Sequence, residues 1–128
     1  MKAFIFLSMI FCHILDDYKI QAGVLNNLKQ KSWWKDQTPD GVPKEFYEYD
    51  YLVALIMHSL SWSFMIHLPI AIYYGFNVSR WFIVSFVLNA TCHAFVDDMK
   101  ANRHELNLLG DQIIHMLQII VTFYTLVV

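Results

Sequence analysis

Cys92-His93-Ala94-Phe95-Val96-Asp97-Asp98-Met99-Lys100 closes an apolar run that begins at Arg80, and its histidine and first aspartate stand four residues apart. Residues with that spacing lie one above the other on a single helix face, so an imidazole and a carboxylate are presented side by side. The same spacing occurs as His13 and Asp17 and, reversed, as Asp111 and His115, while His58 stands inside a fourth apolar stretch. It is metal-ligand spacing. Ionisable groups inside apolar helices are costly to hold there and mark functional sites.

The rest of the chain sets the medium around these motifs. It has 128 residues, of which 57% are hydrophobic and 16% charged, and its mean hydropathy is +0.40. This is too apolar for an ordinary soluble domain and predicts an all-α integral membrane protein. The runs Tyr51 to Tyr74, Arg80 to Val96 and Leu106 to Val128 each approach the ~20 residues that a spanning helix requires. The first apolar run, Ala3 to Leu15, is short enough to be the core of a signal peptide, but no small-x-small cleavage site follows it. Extending it to about residue 25 keeps Asp17 and Gln21 near the face of His13. The expected architecture is therefore a single domain, a bundle of four transmembrane helices at about 3–25, 51–74, 80–99 and 106–128, built from two helical hairpins with a long loop at about 26–50.

Cys12-His13-Ile14-Leu15-Asp16-Asp17-Tyr18-Lys19 resembles the quoted segment, which suggests a weak repeat relating the first and third helices. Basic residues show no stripe, and the formal net charge is −2, so nucleic-acid binding is not expected. Lys19, Lys29, Lys31, Lys35 and Lys44 follow the first helix, and Lys100 and Arg103 lie between the third and fourth, against Lys2 and Arg80 at the other end. The positive-inside rule then places the long loop in the cytoplasm and both termini outside an inner, cytoplasmic membrane. With that orientation His13, Asp17, His58, His93, Asp97, Asp111 and His115 share one layer near the cytoplasmic face.

Three unpaired intramembrane aspartates would cost on the order of 10 kcal/mol, at about 2.5–3.5 each. A divalent cation held by those seven residues offsets that cost. Imidazole and carboxylate together suit Zn, Mn or Fe, as one or two ions, better than calcium. Gln21, Gln112 and Lys100 are expected around the ligands or against a substrate. His67 and His104 are read as structural and loop residues, and Asp16 and Asp98 as solvated or hydrogen-bonded helix-end acids. Cys12 and Cys92 are read as small buried thiols, and Trp33 and Trp34 as headgroup anchors.

In their order along the chain, His13-x3-Asp17-x3-Gln21, Lys29, His58, His93-x3-Asp97-x2-Lys100 and Asp111-Gln112-x2-His115 resemble the domain of unknown function 3307 family. These are small multi-pass membrane proteins of bacteria and their phages. The resemblance runs over nearly the whole chain and implies a multi-helix membrane protein, with no substrate. Asp16, Asp98 and the acidic aromatic stretch Glu45 to Asp50 depart from the family's pattern.

From the residues, the leading expectation is a metal-dependent hydrolase acting on a phosphoester or lipid headgroup, with Asp17, Asp97 or Asp111 free to act as general base. Membrane lipids are the expected partners, and the oligomeric state is open. The alternatives are a non-enzymatic metal-ion or proton transporter or binder, a b-type haem carrier, and a small membrane interaction protein. The haem reading gives the recurrent aspartates no role.

Overall fold

The computed structural model describes residues 1–128 apart from the side chain of Lys44, and the described residues form helices, turns and loops with no strand. Helix α1 (Lys2–Leu15) runs into a π-helical turn at Asp16–Ile20. Two short helices follow, α2 (Val24–Leu28) and α3 (Lys31–Gln37), then a 3-10 turn at Lys44–Tyr47. The remaining helices are α4 (Asp50–Tyr73), α5 (Arg80–Ala101) and α6 (Leu108–Leu126).

Side-chain contacts run in opposite senses along each neighbouring pair. His13 meets Trp62 and Asp16 meets Ser61 between α1 and α4; His58 meets His93 and His67 meets Ser85 between α4 and α5. Asn89 meets Thr122 and Lys100 meets Asp111 between α5 and α6; Lys2 meets Val128 and His13 meets Gln112 between α6 and α1. The result is an antiparallel ring of four helices in the order α1, α4, α5, α6, the helical bundle that the apolar runs predict. Local signals fix the ends. The Asn107 side chain accepts from the Gly110 amide at 2.9 Å and starts α6 at Leu108, three residues before Asp111.

The first helix differs from the expectation of an unbroken segment over 3–25. After the π turn the chain bends at Gln21, whose φ of −103° and ψ of 8° leave the helix, and then at Gly23, whose φ of 84° and ψ of −121° suit only glycine. The connection at 26–50 likewise carries α2 and α3, and Trp34 holds it together. Its ring stacks on Tyr47, with centroids 5.8 Å apart, and its Nε1 donates to the Leu28 carbonyl at 2.7 Å. Trp33 and Trp34 are both half-buried, packed edge to face.

The bundle is layered along its axis. Ile5, Met9, Trp62, Ile66, Ile70, Ile119 and Val127 fill the half nearer the termini, and the histidines and aspartates occupy the other half. Its outer surface is apolar: Phe4, Leu7 and Phe11 on α1, Ile56, Leu60 and Phe64 on α4, Val84, Val87 and Leu88 on α5, and Ile113, Leu117 and Val121 on α6 are exposed. Polar inside and apolar outside reverses the usual order for a chain in water. Two helices are long and apolar enough to cross a membrane, α4 with the turn that precedes it (Glu45–Tyr73) and α5. α1 has 14 residues and α6 has 19, with Asp111, Gln112, His115 and Gln118 lowering the hydropathy of the latter. By length and composition, then, two of the four expected spans are found.

Candidate metal centre

Each bundle helix delivers polar groups to one layer. At the end of α1 the π turn adds an extra residue to the coil, a device frequent at functional sites, and both acids that follow His13 are turned inward. Asp16 is fully buried. Asp17 Oδ2 lies 3.5 Å from His13 Nδ1. From α5 and α6 come His93 and Asp97, and Asp111 and His115. Asp97 is central to the layer: its Oδ2 lies 2.8 Å from His58 Nε2 and 3.9 Å from His93 Nε2, and its Oδ1 lies 3.5 Å from His115 Nε2. The Nε2 atoms of His58 and His93 face each other at 3.1 Å. His58 Nε2 also lies 4.0 Å from Asp17 Oδ1, and His115 Nε2 lies 3.2 Å from Asp111 Oδ1.

Two overlapping groups can hold a metal ion, Asp17 with His58 and His93, and His93 with Asp97 and His115; the donor atoms of each lie within 4.8 Å of one another. A tetrahedral ion with ligands at about 2.0–2.2 Å separates its donor atoms by roughly 3.3–3.6 Å, and the spacings here bracket that range. The donor chemistry fits as well. Gln21 Nε2 donates to Asp16 Oδ2 and to the His58 carbonyl, so Oε1 is the atom turned to His58 Nδ1. That acceptor places the proton of a neutral His58 on Nδ1 and leaves a lone pair on Nε2, aimed at the Asp97 carboxylate. Two electron-rich atoms at 2.8 Å require a cation or a proton beside them, a place taken here by the Lys29 ammonium, 2.6 Å from Asp97 Oδ2 and 3.4 Å from His58 Nε2.

Unpaired atoms point the same way. Asp17 Oδ1 and His115 Nε2, both in the two groups, are buried with no hydrogen-bond partner among the described residues, a cost that a bound cation would offset. Four carboxylates, Asp16, Asp17, Asp97 and Asp111, are gathered against two ammonium groups. Lys29 Nζ sits 2.6 Å from Asp97 Oδ2, and Lys100 Nζ sits 2.6 Å from Asp111 Oδ2. The acids in the layer thus outnumber its ammonium groups.

The expected residues do not all take the expected parts. Asp17, His58, His93, Asp97 and His115 belong to the two groups. His13 lies outside them, because Trp62 Nε1 donates to its Nδ1 at 2.8 Å and its Nε2 meets Gln112 Oε1 at 3.1 Å, which engages both ring nitrogens. Asp111 also lies outside, beside His115 and bound by Lys100 and by Gln112 Nε2 at 3.1 Å. Gln21, Gln112 and Lys100 each contact a predicted site residue. Asp16 is hydrogen-bonded rather than solvated, accepting from Ser61 Oγ at 2.8 Å, and Asp98 caps the end of α5 through Asn102 and Arg103. His67 is structural, its Nδ1 2.8 Å from the Ser63 carbonyl, and His104 lies in the turn after α5. Cys12 is half-buried and Cys92 exposed, both as free thiols, because α5 turns Cys92 outward when His93 faces in. The pair of buried thiols expected from the sequence is not formed.

Two residues escaped the spacing analysis. Trp62, fully buried, stacks on His93 with centroids 4.2 Å apart. Lys29 reaches the layer from outside the bundle helices; its only signal was its place in the motif series of the resembled family. Because Gln21 orients His58, Gln21→Leu is expected to weaken divalent-cation binding by about 10–100-fold, while the helical content measured by circular dichroism stays the same. Unchanged binding in a cobalt titration would show that His58 is oriented by other contacts. Comparison with protein-family models, with curated proteins and with solved structures yields no match.

Proposed function

We propose that the chain spans a membrane with its four bundle helices and holds one divalent cation at the His58, His93, His115, Asp17 and Asp97 layer, where it hydrolyses a phosphoester or lipid headgroup. The carrying observation is the buried layer itself, where four carboxylates meet two ammonium groups and Asp17 Oδ1 and His115 Nε2 lack a hydrogen-bond partner. An apolar outer face on all four helices supports the spans that length alone leaves open. The basic residues grouped at the end of the bundle near the layer support a cytoplasmic position for it.

Three imidazoles and two carboxylates suit Zn²⁺, Mn²⁺ or Fe²⁺. Such an ion supplies Lewis acidity and a water acidic enough to attack at neutral pH. Asp111, outside the two groups and next to His115, is placed to accept a proton. Lys100, with about a third of its side chain exposed, and Gln112 mark the open side where an anionic group would be met. Purified protein is expected to contain about one equivalent of metal by elemental analysis and to cleave a phosphoester in detergent, and the double variant His58→Ala/His93→Ala to do neither. Metal-free wild-type protein would remove the proposal's basis.

A second reading, cation or proton transport, is favoured by a buried to half-buried polar row leading away from the layer. His115 Nδ1 lies 3.3 Å from Gln118 Oε1, Gln118 Nε2 donates to Asn89 Oδ1 at 3.2 Å, and Asn89 Nδ2 donates to Thr122 Oγ1 at 2.7 Å and to Ser85 Oγ at 3.3 Å. Ser85 Oγ in turn meets His67 Nε2 at 3.1 Å. Intramembrane rows of this kind mark ion pathways. Cation-driven flux in vesicles without turnover of any phosphoester would select this reading.

A further inference from the structure

Lys29 enters the polar layer from the connecting segment rather than from a bundle helix or the π turn that extends α1. It follows α2, a five-residue helix with no buried residue, whose Val24, Leu25, Asn26 and Asn27 are all exposed. From there its side chain enters the layer and is 9% exposed, with Nζ 2.6 Å from Asp97 Oδ2 and 3.4 Å from His58 Nε2. Those two atoms are also ligand atoms of the proposed cation. An ion bound at about 2.0–2.2 Å from each would lie within roughly 4 Å of the ammonium group, and two like charges that close in a buried layer repel strongly.

The attachment of the segment is equally specific. Asn102, just past the end of α5, grips the chain on both sides of Gln30, immediately after Lys29: its Nδ2 donates to the Lys29 carbonyl at 3.2 Å and its Oδ1 accepts from the Lys31 amide at 2.7 Å. Upstream, Gly23 has a backbone conformation open only to glycine. Few buried apolar contacts and a handful of hydrogen bonds put such a segment at the low end of local stability.

We propose that Lys29 is a tethered cation that competes with the divalent ion for Asp97 and His58, so that the ion binds only as the side chain and the α2 segment withdraw. This rests on the reading of the layer as a metal site. It makes Lys29 the residue that sets the apparent affinity of the site, in the way that a fraction of competent molecules scales a dissociation constant.

The experiment is a titration of the detergent-solubilised full chain with Co²⁺, read by its visible absorption, for wild type, Lys29→Met and Asn102→Ala. Lys29→Met is expected to bind Co²⁺ at least about tenfold more tightly, corresponding to a competent fraction near a tenth in the wild type. Asn102→Ala, which loosens the segment and leaves the ligands intact, is expected to fall between the two. Equal or weaker binding by Lys29→Met overturns the competition and leaves the metal site standing; no Co²⁺ binding by any of the three overturns both. Hydrogen exchange of the wild type gives a second readout, independent of whether the variants fold. The Lys31 amide, bonded to Asn102, is expected to exchange faster once Co²⁺ is bound, and unchanged protection with the ion bound overturns the withdrawal.

Discussion

Asp97→Asn is expected to abolish cation binding and to destabilise the bundle more than any other single exchange in the polar layer. Asp97 is almost fully buried, and it alone contacts Lys29, His58, His93 and His115. The amide keeps the shape and loses the charge. Removing one partner of a buried ion pair while the other stays costs about 3–5 kcal/mol, here because the Lys29 ammonium loses its counter-ion. Cation affinity is expected to fall by roughly 100-fold or more, since altering even the groups around a ligand costs about 10–100-fold. Both effects are measurable, by Co²⁺ titration and by urea unfolding. The double variant Lys29→Met/Asp97→Asn separates them: it is expected to regain most of the lost stability, because contacting partners are not additive, and to remain unable to bind the ion. Wild-type affinity in Asp97→Asn would mean that the layer is held by hydrogen bonding alone.

What the sequence made legible follows from helical periodicity. His93 with Asp97 and Asp111 with His115 could be placed on common faces because four residues make about one turn, and their shared depth followed from the alternation of helix direction. These are local rules, and they brought the right helices to one layer. His13 obeyed the same spacing and yet turned to Trp62 and Gln112, because a ring nitrogen's partner is chosen by whatever packs against it from another helix. The π turn at Asp16–Ile20 and the break at Gly23 were equally hidden: an uninterrupted apolar pattern does not reveal where one turn widens or a glycine takes a left-handed conformation. From sequence Lys29 reads as one of the loop cations facing the cytoplasm. Its burial depends on a tertiary clamp, Asn102, that lies 73 residues away in sequence. The inward polar residues that build the layer also depress the hydropathy by which α6 would be recognised as a span.

Trp62→Ala is the second exchange with a large expected effect, and it probes the floor of the layer rather than its charges. The indole is fully buried at the boundary between the apolar and polar halves, stacked on His93 and 5.3 Å by centroid from His115, with its Nε1 donating to His13. Truncating a buried aromatic costs about 3–5 kcal/mol through lost burial and the cavity that remains. The cavity would open directly beneath two ligand imidazoles, so cation affinity should fall together with stability. Trp62→Phe divides the two contributions. Phenylalanine fills much of the space and keeps a ring against His93, but it leaves His13 Nδ1 without its donor, at about 1–3 kcal/mol for an unsatisfied buried group. Phe is therefore expected to retain most of the Co²⁺ affinity at reduced stability, and Ala to lose both. If Ala and Phe bind Co²⁺ equally well, the histidines are positioned by their hydrogen bonds alone and the stacking on Trp62 has no part in shaping the site.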